Sequence, residues 1–86
     1  MLKNKIVVLN DKKEYYVLDE LDYHGKKYLF LSLYHVNDES IDENQFLVIE
    51  LRLENANLTF HDIENQNEAE KISAMFLEKM KNDTQH

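Results

Sequence analysis

The chain has no cysteine, no proline, no tryptophan and a single glycine among its 86 residues, and each absence closes a route. Without cysteine there is neither a disulfide staple nor a thiolate metal site, the devices on which small secreted domains commonly rely, and a reducing cytoplasm suits such a composition. One glycine cannot build a phosphate cradle, because GxGxxG and GxxxxGK[ST] loops need several glycines to bring backbone against phosphate. Without proline, the turns fall to Asn, Asp and Ser, whose side chains bond nearby backbone and tolerate left-handed conformations. Long apolar runs are missing too. The stretch Ile6-Val7-Val8-Leu9, which follows Lys3 and Lys5, is too short for a signal peptide or a membrane span.

What is present is acid. The formal net charge is −7, and it is concentrated in the middle of the chain. Residues 1–36 carry six Lys against five acids, residues 37–70 carry ten acids against Arg52 alone, and residues 71–86 carry three Lys against two acids. A surface of that sign repels phosphate backbones, which argues against direct nucleic-acid binding and favours solubility and attraction of a basic partner. At this length the chain is one domain that buries roughly two-thirds of its unfolded surface, with little room for a deep cleft.

The one glycine is the clearest structural instruction. In Tyr23-His24-Gly25-Lys26, between two apolar and aromatic runs, His24-Gly25 specifies a two-residue type I′ turn, which needs positive φ at both positions. Pairing outward from it sets Asp22 against Lys27, Leu21 against Tyr28, Leu18 against Leu31 and Tyr16 against Leu33. Tyr15, Val17, Leu21, Tyr28, Phe30 and Tyr34 then share one face, and Tyr16, Leu18, Leu29, Leu31 and Leu33 the other. Five strands are expected, at residues 6–9, 14–23, 26–36, 45–54 and 58–63, separated by breaks at 10–13, 37–44 and 54–57. The third is apolar on both faces and therefore central and covered on both sides. The fourth sets Leu47, Ile49, Leu51 and Leu53 inward and Glu50, Arg52 and Glu54 on a wet face. The first and last are candidates for exposed edges that could pair between chains.

After Asn65-Gln66 the period becomes helical. Asn67 with Glu70 reads as a capping box, and Ala69, Ile72, Phe76 and Met80 line an apolar stripe, with Met75 and Leu77 at its margins. These readings give an α+β fold: a small antiparallel meander sheet of about five strands with one C-terminal helix on it. The single domain covers residues 1–81, and residues 82–86 form a frayed tail.

Chemistry-bearing residues fall into no catalytic pattern. Ser32, Ser40 and Ser73 lack a nucleophile context, and Asp19 and Glu20, adjacent on a strand, point to opposite faces and cannot flank one bond. Asp38, Glu39, Asp42 and Glu43 gather carboxylates in one acidic loop. Read as a calcium loop from Asp38, however, position six is Glu43 and position twelve is Ile49, so the sharp turn and the bidentate ligand are both absent. His24, His35, His61 and His86 lack metal-ligand spacing; His35 and His61 could meet only if their strands were neighbours, and would still need a third ligand. No catalytic, cofactor or metal residue is expected, and the chain reads as a non-enzyme. Five tyrosines on the central hairpin are explained by cross-strand packing.

The run Glu14-Tyr15-Tyr16-Val17-Leu18-Asp19-Glu20-Leu21-Asp22-Tyr23-His24-Gly25-Lys26-Lys27-Tyr28-Leu29-Phe30-Leu31 combines an aromatic, a Val-Leu pair, acids, Tyr-x-Gly-Lys-x-Tyr and an apolar strand. It resembles the small acidic bacterial proteins grouped as the DUF1292 family, a domain of unknown function, as do the acidic loop, the strand at residues 46–53 and the final amphipathic helix. The resemblance implies a cytoplasmic bacterial protein and carries over no catalytic residue. The function expected is a non-enzymatic protein-interaction or regulatory module with an acidic surface for a basic protein partner at Asp38, Glu39, Asp42 and Glu43. The alternatives are a small-ligand or metal-binding domain and, more weakly, an acidic nucleic-acid mimic. The chain is expected to be a monomer or a weak homodimer, away from membranes and without a cofactor.

Overall fold

The computed structural model describes residues 2–83, with the side chains of residues 43, 44, 82 and 83 outside that description. In chain order the elements are β1 (Ile6–Val8), β2 (Glu14–Tyr23), β3 (Lys26–His35), β4 (Ser40–Glu54), β5 (Asn57–Asp62) and α1 (Gln66–Asp83). The strands form one antiparallel sheet in the order β1-β2-β3-β4-β5. This is the expected meander, with α1 packed on one face.

The β2–β3 hairpin turns as anticipated, with His24 at φ 52 and Gly25 at φ 78. Near the turn the register also holds, pairing Leu21 with Tyr28 and Asp22 with Lys27. Farther out it shifts by one residue between Val17 and Asp19, so that Val17 faces Leu31, Tyr16 faces Ser32 and Tyr15 faces Leu33. The pairs expected at Leu18 and Tyr16 are therefore incorrect, because a β-bulge inserts one residue into β2 and exchanges the faces beyond it. Tyr15 and Val17 join Leu29 and Leu31, whereas Leu18 joins Phe30.

Two apolar clusters result, one on each face of β3. In the first, Val17, Leu29, Leu31, Ile49 and Leu51 gather Leu2, Val7, Leu9, Leu47 and Phe60 around them. Residues from both edge strands can meet there only if the sheet curls over its own face. The N-terminal segment closes part of the curl: Asn4 N–H donates to the Val17 carbonyl at 2.8 Å, and Val17 N–H to that of Lys5 at 2.9 Å. On the opposite face, Tyr28 and Phe30 pack against Ile72 and Phe76, the rings of Phe30 and Phe76 stacking at 5.3 Å. The central strand is thus covered on both sides, as its composition required.

Residues 37–44 do not form a long loop. β3 runs to His35 and β4 starts at Ser40, leaving a turn at 36–39 with Glu39 at φ 49. Polar residues disguise the start of β4, and its pairing is irregular between Ser32 and Tyr34, where the Ser32 hydroxyl donates to the Asp42 carbonyl at 2.7 Å. Nor is the polar side of β4 uniformly wet: Glu50 is buried, whereas Leu53, beyond the core near the hairpin end, is 71% exposed. The β4–β5 connection is the two-residue turn Asn55-Ala56, at φ 51 and 66, which starts β5 one residue earlier than expected.

The helix begins earlier as well. Its cap is Asn65, whose Oδ1 accepts the Glu68 N–H at 3.1 Å, and not Asn67. Glu68 turns instead to the sheet. Ile72 and Phe76 are fully buried and Leu77 is exposed, so the stripe runs as anticipated on its central residues. α1 continues to Asp83, and residues 84–86 lie outside the described residues. Its C-terminal half is fastened at the bulge, where buried Asp19 accepts from Lys79 Nζ at 3.1 Å and Lys79 also reaches the Glu20 carbonyl at 2.8 Å.

Candidate interaction site

Of the two terminal strands of the sheet, β1 and β5, β5 presents the longer open edge. This strand follows a type I′ turn and, among the described residues, pairs only with β4, in an unbroken register from Glu54 opposite Asn57 to Ile49 opposite Asp62. Residues flanking a two-residue turn form a hydrogen-bonded pair, and such pairs alternate along an antiparallel ladder. Asn57, Thr59 and His61 therefore spend their backbone groups on β4, while Leu58, Phe60 and Asp62 direct N–H and C=O away from the sheet. Among the described residues, no backbone hydrogen bond joins β5 to β1.

The curl brings the end of β1 toward this edge without closing it. Three concavities, of about 530, 380 and 440 Å³, follow the seam, and all three are lined by Asn10, Phe60 and His61. The smallest is partly apolar, with Leu9, Leu47 and Ile49 beside Phe60. The largest is polar, with Lys26, Glu50, Arg52, Glu64 and Glu68 in its walls.

The polar side is built from paired groups. Arg52 donates from Nε to Glu50 Oε2 at 2.9 Å and from Nη2 to Oε1 at 3.3 Å, and this fork holds Glu50 below the usual carboxylate range although burial pushes the other way. Thr59 Oγ1 lies 2.5 Å and His61 Nε2 2.9 Å from Glu54 Oε1, and both lower the Glu54 carboxyl. The Tyr28 hydroxyl donates to Glu68, whose carboxylate also lies 3.6 Å from Lys26 Nζ; burial and this bond raise the Tyr28 phenol. Among the described residues no buried side-chain nitrogen or oxygen lacks a partner. Such a network fixes a polar surface of defined shape.

The acids singled out from the sequence lie elsewhere. Asp38 and Glu39 stand exposed on the 36–39 turn, Asp42 lies on β4 with its Oδ2 3.4 Å from His35 Nε2, and the Glu43 side chain is outside the described residues. His35 and His61 do not meet, since β4 separates their strands. Among the described residues no group of three or more His, Cys, Asp or Glu side chains could hold a metal ion. Glu54, Asp62 and Glu64, which border β5, were not anticipated as a group. Their signal was available: residues 53–64 contain three acids and no Lys or Arg.

A family model described as Protein of unknown function (DUF1292) matches residues 10–81. The chain belongs to that family. No curated protein and no solved structure matches it. The DUF1292 match begins at Asn10, on one wall of the seam, and takes in all of β2 to β5 and most of α1. In this DUF1292 chain no helix of the described residues is long and apolar enough to cross a membrane.

Proposed function

We propose that this DUF1292 protein is a non-enzymatic, cytoplasmic interaction module that holds a basic protein partner along the β5 seam. The observation that carries this reading is an unpaired strand edge bordered by Glu54, Asp62 and Glu64, beside a concavity in which the acids Glu50, Asp62, Glu64 and Glu68 outnumber the cations Lys26 and Arg52. Carboxylates so placed attract a cationic partner and repel nucleic acid. The exposed acids Asp38 and Glu39 add to the negative field, and the paired state of Glu50, Glu54 and Glu68 suits a recognition surface better than proton transfer. Retention of proteins from the native cell by immobilised protein, at low and moderate salt, tests it. A partner retained at low salt is expected to be lost from the Asp62→Lys/Glu64→Lys variant and weakened by Asp38→Lys/Glu39→Lys. Retention indifferent to both pairs of reversals sinks the electrostatic reading.

A further inference from the structure

We infer that the segment bound at this seam is an extended strand of the partner, basic on one side and apolar on the other, which adds to the sheet alongside β5. The inference rests on the interaction reading above and specifies the occupant. Leu58, Phe60 and Asp62 each present one backbone donor and one acceptor outward, the template that strand addition uses. Folded proteins commonly shield such an edge with proline, lysine, a bulge or a covering element. Here β5 has no proline or lysine, and its register with β4 contains no bulge.

Side chains decide what kind of strand fits. Successive residues of an added strand point to opposite faces of the sheet. On the inner face they meet the concavity at Leu47, Ile49 and Phe60, where apolar side chains are favoured, with the carboxylates Asp11 and Asp62 at its border to draw the basic residues of the same strand. On the outer face they meet the polar concavity, in whose wall Glu64 stands, and Glu54 at the neighbouring end of the seam, where Lys or Arg is favoured. A second copy of the same edge fits poorly, because residues 53–64 of both copies carry three acids and no Lys or Arg. Nucleic acid is excluded by the same sign of charge.

The test uses the whole chain and two synthetic hexapeptides with capped ends, Lys-Val-Lys-Val-Lys-Val and Glu-Val-Glu-Val-Glu-Val. Backbone amide exchange is followed by NMR. The lysine peptide is expected to bind saturably and to slow exchange at Leu58, Phe60 and Asp62 by at least about tenfold, the glutamate peptide to leave them unchanged. Leu58→Pro removes an outward N–H without taking a bond from the β4 ladder, and should weaken the lysine peptide about tenfold or more while the far-ultraviolet spectrum stays native. Should that variant not fold, Asp62→Lys/Glu64→Lys decides: it should weaken the lysine peptide and admit the glutamate peptide. Equal binding of both peptides, protection confined to the 36–39 turn, or no saturation by about 1 mM peptide overturns the proposal. So does concentration-dependent self-association that protects the same three amides without peptide, since a second copy is then the occupant. A cellular partner lost on reversal of Asp62 and Glu64, with these amides still unprotected by it, leaves the interaction reading standing and removes the strand.

Discussion

A second glycine, placed at Ala56, is expected to stabilise the protein. Ala56 sits at φ 66 in the two-residue turn between β4 and β5, after Asn55 at φ 51. A left-handed residue bearing a Cβ costs roughly 1–2 kcal/mol, a strain that glycine does not feel and asparagine partly escapes. Against this, glycine enlarges the unfolded ensemble, which costs about 0.4–1 kcal/mol. The balance favours Ala56→Gly by about 0.5–1 kcal/mol, or roughly 2–8 °C in Tm for a domain of this size. Urea unfolding at neutral pH gives the first quantity and calorimetry the second, and the denaturant slope should not change, because the surface exposed on unfolding is the same. Gly25 supplies the converse control. At φ 78, with no heavy atom within 4 Å of an added Cβ, Gly25→Ala is penalised by backbone conformation alone, and Gly25→Val more heavily because a β-branched residue resists that region. An Ala56→Gly variant no more stable than the parent would refute the type I′ geometry. The outward direction of Leu58, Phe60 and Asp62, counted from that turn, would fall with it.

Phe76→Ala removes a fully buried ring stacked on Phe30 and should cost about 3–5 kcal/mol, a large part of the roughly 4–13 kcal/mol available to a chain of this length; a loss below about 1 kcal/mol in urea would mean that α1 does not seat on the sheet this way. Asn65→Ala should cost about 1 kcal/mol as the loss of an N-cap, while Asn67→Ala, exposed in the first turn of α1, should be nearly neutral, and the reverse order would restore the cap to Asn67. Because Arg52 holds Glu50 below the usual carboxylate range, the folded state binds that proton less tightly than the unfolded chain does. The stabilisation is therefore complete above about pH 5 and lost as pH falls through the carboxylate range. Glu50→Gln should lower stability at neutral pH and flatten the acid limb of the stability–pH curve, and an unchanged limb would count against the fork.

How far the sequence reaches into this fold depends on how local each instruction is. The β2–β3 turn and the pairs nearest to it are legible because His24-Gly25 dictates them over a few residues. The register beyond Leu18 is not, since Tyr15-Tyr16-Val17-Leu18 is apolar or aromatic at both parities and either register buries a comparable set of side chains. What separates the two is charge: the bulged arrangement buries Asp19, a group that needs cationic partners to be tolerated there. Lys79 meets that need at 3.1 Å from a position 60 residues away, and Lys3 stands at 3.8 Å. The lysine reaches Asp19 only when α1 lies on the sheet, and α1 lies there only over the face that the bulge gives to Leu18, Leu21 and Phe30. Bulge and helix therefore specify each other, a condition that no window along the chain contains. The seam inherits it. That β5 is an edge follows from strand order and was legible, whereas the approach of β1 toward that edge requires the curl, to which the bulge adds local twist and bend. The acidity of Glu54, Asp62 and Glu64 acquires its meaning as a binding border only after the curl has set an open edge beside it.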